Sequence, residues 1–255
     1  MNVATDRIDN ERLFHDRQAR DRAETFRRRS DNLQFSDDDY LDHESWIRPA
    51  FAKFGPLAGK SALDYGCGHG MAAVVMARRG AAVSAFDLAE DYLTEARRRA
   101  DANGVTIEFR PADAHRLPFG DETFDAIWGN AILHHLDLTV AAREIRRVLR
   151  PGGIAVFCEP WGGNPLLRWV RRRLPYAGKS RTPDEEPLRE RDLERLREGF
   201  PDLETEGFQL LSMIRRAVRI APLTAMLDLA DRQILAVFPR AKNVCRYMVL
   251  TMRRE

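Results

Sequence analysis

Cysteine is scarce in this chain. Only Cys67, Cys158 and Cys245 occur, far apart and with no CxxC or CxxxC pair. That spacing excludes a disulfide framework and a paired-cysteine zinc site, and it predicts isolated reduced thiols in a cytosolic protein. An excess of one charge is lacking too. The 41 basic residues face 39 acidic ones, for a formal net charge of +2, so no global field favours DNA or an anionic membrane. Nor is there a basic stripe with interleaved aromatics, the usual mark of a nucleic-acid surface. Apolar runs are short: "MAAVVMA", from Met71, stops after seven residues, well below the ~20 that a membrane span needs. The opening "MNVATDRIDNERLF" is polar and charged, unlike a secretory signal. The expectation is a soluble, cytoplasmic protein that binds a small molecule, without nucleic acid, a membrane span or a metal, and with a homodimer as an open option.

With 255 residues and 44% hydrophobic content, the chain can bury one sizeable core. Residues 1–57 are highly charged and predict two helices. One covers "ERLFHDRQARDRAETFRRR". The other covers "SDDDYLDHESWIRPAFAKF", with Ser36 or an aspartate as N-cap and Leu41, Trp46, Ile47, Phe51 and Phe54 at helical spacing. Neither is apolar enough to stand alone, and 1–57 is read as a helical lid over a domain of residues 58–255. From Ser61 the texture changes. "SALDYG", "AAVSAFD", "VTIEFRPAD", "FDAIWGN" and "GIAVFCEP" read as strands, separated by helical "MAAVVMARR", "AEDYLTEARRRADAN" and "LTVAAREIRRVLR". That alternation implies βαβ units, a parallel sheet and right-handed crossovers. Residues 160–190, rich in Pro, Gly and Arg, read as an insertion. "RDLERLREGF" is helical, "LETEGFQLLSM" a strand, 220–238 an amphipathic helix and "NVCRYMVLTMRR" a last strand. The excursion at about 214–240 suggests that the last two strands pair antiparallel. The predicted fold is α/β and Rossmann-like: seven strands, mostly parallel, with helices on both faces.

The densest signal is "LDYGCGHG", Leu63 to Gly70. Glycines 66, 68 and 70 follow a strand and open a helix, at the sheet edge where open parallel sheets bind ligands. A dinucleotide fingerprint starting at Gly66 needs glycine at 71, and Met71 stands there. An acidic residue, Asp64, lies two places before the first glycine. Asp87 ends the second strand, where a carboxylate can take both hydroxyls of a ribose; capping of the next helix is its other reading.

"LDYGCGHG", then "FDLAEDYLTEA", then "ADAHRLPFGDETFDAIWGNAILHHL", then "EIRRVLRPGG" resembles the class I S-adenosylmethionine-dependent methyltransferases, in the texture of their small-molecule, quinone-biosynthesis group. The likeness is dense over 61 to about 159 and weak on either side. The resemblance implies S-adenosyl-L-methionine as cofactor. It implies that Asp64 and the Gly66, Cys67, Gly68 and Gly70 turn face its methionine part and ribose. Asp87 would hold the ribose hydroxyls and Leu88 would lie against adenine. Asp113 would accept from the adenine amino group, with Ala114 giving a backbone contact. Asn130 and Ala131 would line the sulfonium side, and Tyr40 would reach the cofactor from the N-terminal helices.

The proton acceptor is open at this level. His134 and His135 follow the fourth strand, and histidine titrates near neutral pH; either is a candidate base, or one caps a helix while the other touches the cofactor or packs. Glu159, ending the fifth strand, either binds the acceptor or hydrogen-bonds the insertion. His15 is a further candidate. Arg168, Arg171, Arg172, Arg173, Lys179 and Arg181 form either an acidic-acceptor site or a solvated helix face. Leu223, Met226, Leu227, Leu229, Ile234, Leu235 and Phe238, with Trp161 and Trp169, form either a pocket wall or plain packing. No Asn-Pro-Pro-aromatic run, no Pro-Cys pair and no Asp–Asp–Asn metal constellation is present, which argues against DNA or protein amide methylation, cytosine C5 chemistry and magnesium-assisted catechol methylation.

Overall fold

The computed structural model describes residues 33–173, 186–216 and 220–255. The helix expected over 11–29, with His15, and the cations Lys179 and Arg181 lie outside them. Seven strands form one sheet in the order β3-β2-β1-β4-β5-β7-β6. They are β1 Ser61–Tyr65, β2 Ala82–Asp87, β3 Glu108–Pro111, β4 Phe124–Asn130, β5 Leu149–Pro160, β6 Glu204–Phe208 and β7 Tyr247–Arg253. Neighbours among β1 to β5 run parallel, and β7 runs antiparallel to both β5 and β6. The chain winds outward from β1 to β3 on one side and from β4 to β5 on the other. The strand order therefore reverses between β1 and β4, where ligands of such sheets bind.

The helices are α1 Asp37–Leu41, α2 Ile47–Ala52, α3 Met71–Arg78, α4 Glu90–Ala102, α5 Leu138–Val148, α6 Pro165–Arg173, α7 Glu190–Gly199 and α8 Ala221–Val237. Strand alternation sorts the core into two layers. Leu63 and Tyr65 of β1 join Phe86, Ile127, Phe157 and Leu250 beneath α5 and α7. Ala62 joins Trp128, Val156, Cys158 and Val249 on the opposite face, beneath α1, α2 and α3. Asp64 thus shares the second face with Trp128, its register partner on β4.

The N-terminal apolar residues do what their spacing predicts, on a different backbone. "SDDDYLDHESWIRPAFAKF" folds as two short helices, with residues 42–46 between them, rather than one. Ser36 is the N-cap: its hydroxyl accepts from Asp39 N–H, and Asp39 accepts in return from Ser36 N–H at 2.7 Å. Leu41, Trp46, Ile47, Phe51 and Phe54 are all buried, with the Phe51 ring 4.3 Å from Trp128. The described part of the expected lid is therefore packed into the core.

Other boundaries shift for local reasons. β5 starts at Leu149, directly after α5, and carries Pro151 and Gly152 within it, at the cost of a register shift opposite Phe124 and Ala126. β6 ends at Phe208 because Gln209 turns to φ +60°. Asn243 and Val244, which open the expected last strand, belong instead to a 3-10 turn, Pro239–Val244.

Candidate active site

The glycine turn is tied to the end of β2. Cys67 N–H donates to Phe86 O at 2.8 Å, and Gly68 N–H donates to Asp87 Oδ2 at 2.8 Å. The glycines serve different ends. Gly70 is the N-cap of α3 at φ +78°, and a side chain there would begin 2.8 Å from the Ala96 methyl. Gly70 thus lets α3 cross closely over α4. Gly68, at φ +50°, has no atom within 4 Å of where a side chain would begin. It leaves space at the carboxyl end of β1, a cradle that any side chain would fill. Behind the turn, the buried Arg99 guanidinium donates to the His69 carbonyl and to Glu95 Oε1 at 2.8 Å.

Asp64 and Asp87 flank the glycine turn, and Asp113 follows β3, the strand next to β2. Asp87 also accepts from Ala89 N–H at 3.0 Å through Oδ1, so its helix-starting role and its place beside the glycine turn coexist. Asp64 is 2% exposed and accepts a single N–H, from Ala73 at 3.0 Å. Burial, reinforced by the charge on Asp87, pushes its pKa up to about 7. Asp113 Oδ1 accepts from His115 N–H at 2.8 Å and from the His115 ring at 2.9 Å. His115 Nε2 in turn accepts Asp137 N–H at 3.0 Å. That pair of partners fixes the tautomer with the proton on Nδ1. Asp137 caps α5 through Thr139 and Val140 N–H, so the Asp113 loop and the start of α5 are held together. Of the neighbouring positions, Leu88 is half-buried, the Ala114 carbonyl accepts the Tyr65 hydroxyl at 2.8 Å, and the Cys67 thiol is buried and pushed up by that burial.

Tyr40 reaches this corner from α1. Its hydroxyl accepts Trp128 Nε1–H at 3.1 Å. Burial and the nearby Asp64 and Cys158 raise the phenol well above its usual range, so it serves as a neutral polar group.

The segment after β4 is held under strain. Asn130 is exposed, and Ala131 sits at φ +58° with its N–H bonded to Cys158 O at 2.8 Å. A 3-10 turn, Leu133–His135, follows. Glu159 holds it. This side chain is fully buried; Oε1 accepts from Ile132 and Leu133 N–H at 2.9 and 2.8 Å, and Oε2 lies 2.7 Å from His134 Nδ1. The turn and His134 thus take up both oxygens of Glu159, which among the described residues makes no bond to 160–190. The His134 side chain is 3% exposed. His135 is half-buried, its ring 4.1 Å from that of His134.

His115 and the Glu95–Arg99 clamp were missed by sequence reasoning. Their only signal was an i, i+4 Glu–Arg spacing amid three consecutive arginines, and a histidine two places from Asp113. A cavity of about 760 Å³ opens elsewhere, between α1, β6 and α8, and the glycine turn takes no part in lining it. Arg168 is half-buried on α6 and Trp169 is exposed, while Trp161 is buried with Nε1 on Asn243 O at 3.0 Å. Met226, Leu229 and Phe238 are exposed.

Residues 63–157 match the methyltransferase domain family. The matched segment runs from within β1 to most of β5 and holds the glycine turn, Asp87, Asp113, His134 and His135. The chain is 34% identical over 161 residues to a ubiquinone biosynthesis O-methyltransferase of Ruegeria pomeroyi, covering 57% of this chain and 64% of that one. It is 42% identical over 132 residues to a demethylmenaquinone methyltransferase of Clavibacter sepedonicus, covering 50% and 51%. The chain thus spans between half and two thirds of the length of these relatives. Among solved structures, the cyclase SpnF superposes with a TM-score of 0.54 at 26% identity, over 83% of each chain. The Rossmann-like architecture extends beyond the matched segment through the antiparallel β7 and β6. No helix among the described residues is long and apolar enough to cross a membrane.

Proposed function

We propose that the chain is an S-adenosylmethionine-dependent methyltransferase acting on a small, partly apolar acceptor. The observation that carries this reading is the open cradle at Gly68, bonded to Asp87 at the point where strand order reverses. A carboxylate beside a backbone cradle suits a ribose diol, and the acidic surroundings of Asp64 and Asp87 suit a ligand bearing positive charge. Asp113 and the half-buried Leu88 suit the polar edge and apolar face of adenine.

When bound, the cofactor supplies a methyl group already activated by a positively charged sulfur. The chain's residues have three tasks: align the acceptor for in-line displacement, exclude water, and take up a proton where the acceptor is neutral. His134 is the base in this proposal. Glu159 holds its Nδ1–H and so presents Nε2 for proton uptake, the orienting logic of a carboxylate–histidine pair. Its slight exposure restricts it to an acceptor seated in the cleft. His135 lines the approach, and Tyr40, Asn130 and Ala131 close the sulfonium side. The relatives' names make hydroxyquinones and phenols the first acceptors to test. Cytoplasmic location belongs to this proposal, supported by three buried, unpaired cysteines; so does the homodimer, for which the exposed apolar residues of α8 offer a surface.

A second reading keeps the cofactor pocket but performs no methyl transfer, and the similarity to a cyclase favours testing it. Calorimetry with S-adenosylhomocysteine (SAH), followed by SAH formation from S-adenosylmethionine with hydroxyquinones, separates the two. Binding with turnover supports methyl transfer, binding without turnover on any acceptor supports the second reading, and no binding sinks both. His134→Ala is expected to keep SAH affinity while lowering turnover by about 10²–10⁴-fold. If His135→Ala does so instead, the base is assigned to the wrong histidine.

A further inference from the structure

We propose that ligand binding in this site is coupled to release of a proton from Asp64, the proton being replaced by the α-ammonium of the S-adenosyl ligand. The inference rests on the cofactor reading above and extends it to the protonation state of the empty site.

Asp64 is the penultimate residue of β1, 2% exposed beneath the first turn of α3, and accepts one N–H bond, from Ala73. No lysine or arginine among the described residues forms an ion pair with it. The groups facing it are the Tyr40 hydroxyl from α1, the Cys67 thiol from the glycine turn, Asp87 from β2, the Trp128 indole from β4 and Cys158 from β5. Among the described residues every one is neutral or negative. Two cations reach these neighbours, Arg97 of α4 through Cys67 and Lys53 through Cys158, and each is paired with a carboxylate, Glu90 at 2.8 Å and Glu206 at 3.0 Å. The register pairs Asp64 with Ala85, two residues before Asp87 on the adjacent strand. At strand spacings of about 4.8 Å across and 3.3 Å per residue along, the two acidic residues lie roughly 8 Å apart between Cα atoms.

A carboxylate taken out of water with no counter-charge, and with a second carboxylate nearby, neutralises by holding a proton. The pKa near 7 agrees with this geometry. Asp87 differs: its two oxygens accept Gly68 and Ala89 N–H, donors that favour the ionised form. Asp64 is therefore the group that changes state. The amino-acid end of the ligand lies over the Gly66–Gly70 turn in the reading above, and its ammonium supplies a cation that Asp64 lacks among the described residues. The proton leaves Asp64 for solvent, and an ammonium–carboxylate pair takes its place.

The test is calorimetry of the full chain with SAH in buffers of different ionisation enthalpy. At pH 6 the binding heat is expected to report nearly one proton released to buffer, and at pH 8.5 almost none. Affinity is expected to rise about tenfold per pH unit below 7 and to level off above it. The analogue 5′-methylthioadenosine, which lacks the amino-acid end, is expected to release none. Asp64→Asn, checked for folding by circular dichroism, is expected to remove the release. Buffer-independent heat with SAH at pH 6 overturns the proposal. So does equal release with 5′-methylthioadenosine, which would locate the proton near the ribose, and so does release that persists in folded Asp64→Asn. Absence of SAH binding would instead defeat the cofactor reading itself. The wild-type measurements decide the matter even if the variant does not fold.

Discussion

Asp87 serves two backbone N–H groups, at Gly68 and Ala89, before any ligand arrives. Asp87→Asn keeps the shape but loses the charge and half the acceptor capacity. SAH affinity is expected to fall by about 1.5–3 kcal/mol, the range for hydrogen bonds to a charged group; unchanged affinity in calorimetry would remove Asp87 from the ribose. Glu159 carries a different burden. Glu159→Ala leaves Ile132 and Leu133 N–H and His134 Nδ1 without their shared acceptor. Denaturant unfolding is expected to show a loss of about 3–5 kcal/mol, as when one partner of a buried pair is removed. Glu159→Gln retains an oxygen for the two N–H groups and should lose clearly less. If the two variants are equally destabilised, the bonds to the turn are not what Glu159 contributes. At this scale the acidic residues were readable because each lies within two residues of a strand's carboxyl end. The direction of Glu159 was not, since nothing local to "FCEP" says that its partners lie 25–27 residues earlier.

The glycine turn and the helices that flank it behave as one element. Gly68 and Gly70 both sit in the left-handed region, so alanine at either is strained by about 1–2 kcal/mol. Their neighbours separate them. At Gly70 the new methyl meets Ala96 and must push α3 from α4, which adds about 1–3 kcal/mol of overpacking. At Gly68 it meets only open space. Gly70→Ala is therefore expected to be the less stable variant in urea. Gly68→Ala is expected to be the weaker SAH binder for its stability, by more than tenfold. A reversed ranking would mean that Gly68 does not face the ligand. The elements from β1 to β5 were legible because periodicity and turn residues agree there: the alternation of apolar faces, Gly104 at φ +66° just past α4, and Asp137 capping α5. The break at 42–46 was not legible, because its apolar residues keep helical spacing across a non-helical backbone. The left-handed Gln209 that ends β6 was equally hidden. Its side chain bonds Glu44 at 2.9 Å, 165 residues away.

Across the whole molecule, the empty site is a source of instability. Asp64 ionises near pH 3.8 in an unfolded chain and near 7 in the folded one. Between those values the folded state binds more protons than the unfolded state, so stability falls as pH rises through this window and is flat above it. Three pKa units correspond to about 4 kcal/mol, an upper bound because the fold relaxes around a buried charge. Asp64→Asn removes the titration. Its melting temperature without ligand is expected to exceed that of the wild type at pH 8 and to approach it at pH 4. With saturating SAH the order should narrow, since the ligand's cation stabilises the wild-type carboxylate and not the amide. A variant no more stable than wild type at pH 8 would show that Asp64 is comfortably ionised when the site is empty. The rest of the sheet can absorb this cost because both its faces are covered by continuous apolar layers. The carboxyl edge beside β1 and β4 is left to carry the charge that a cationic ligand requires.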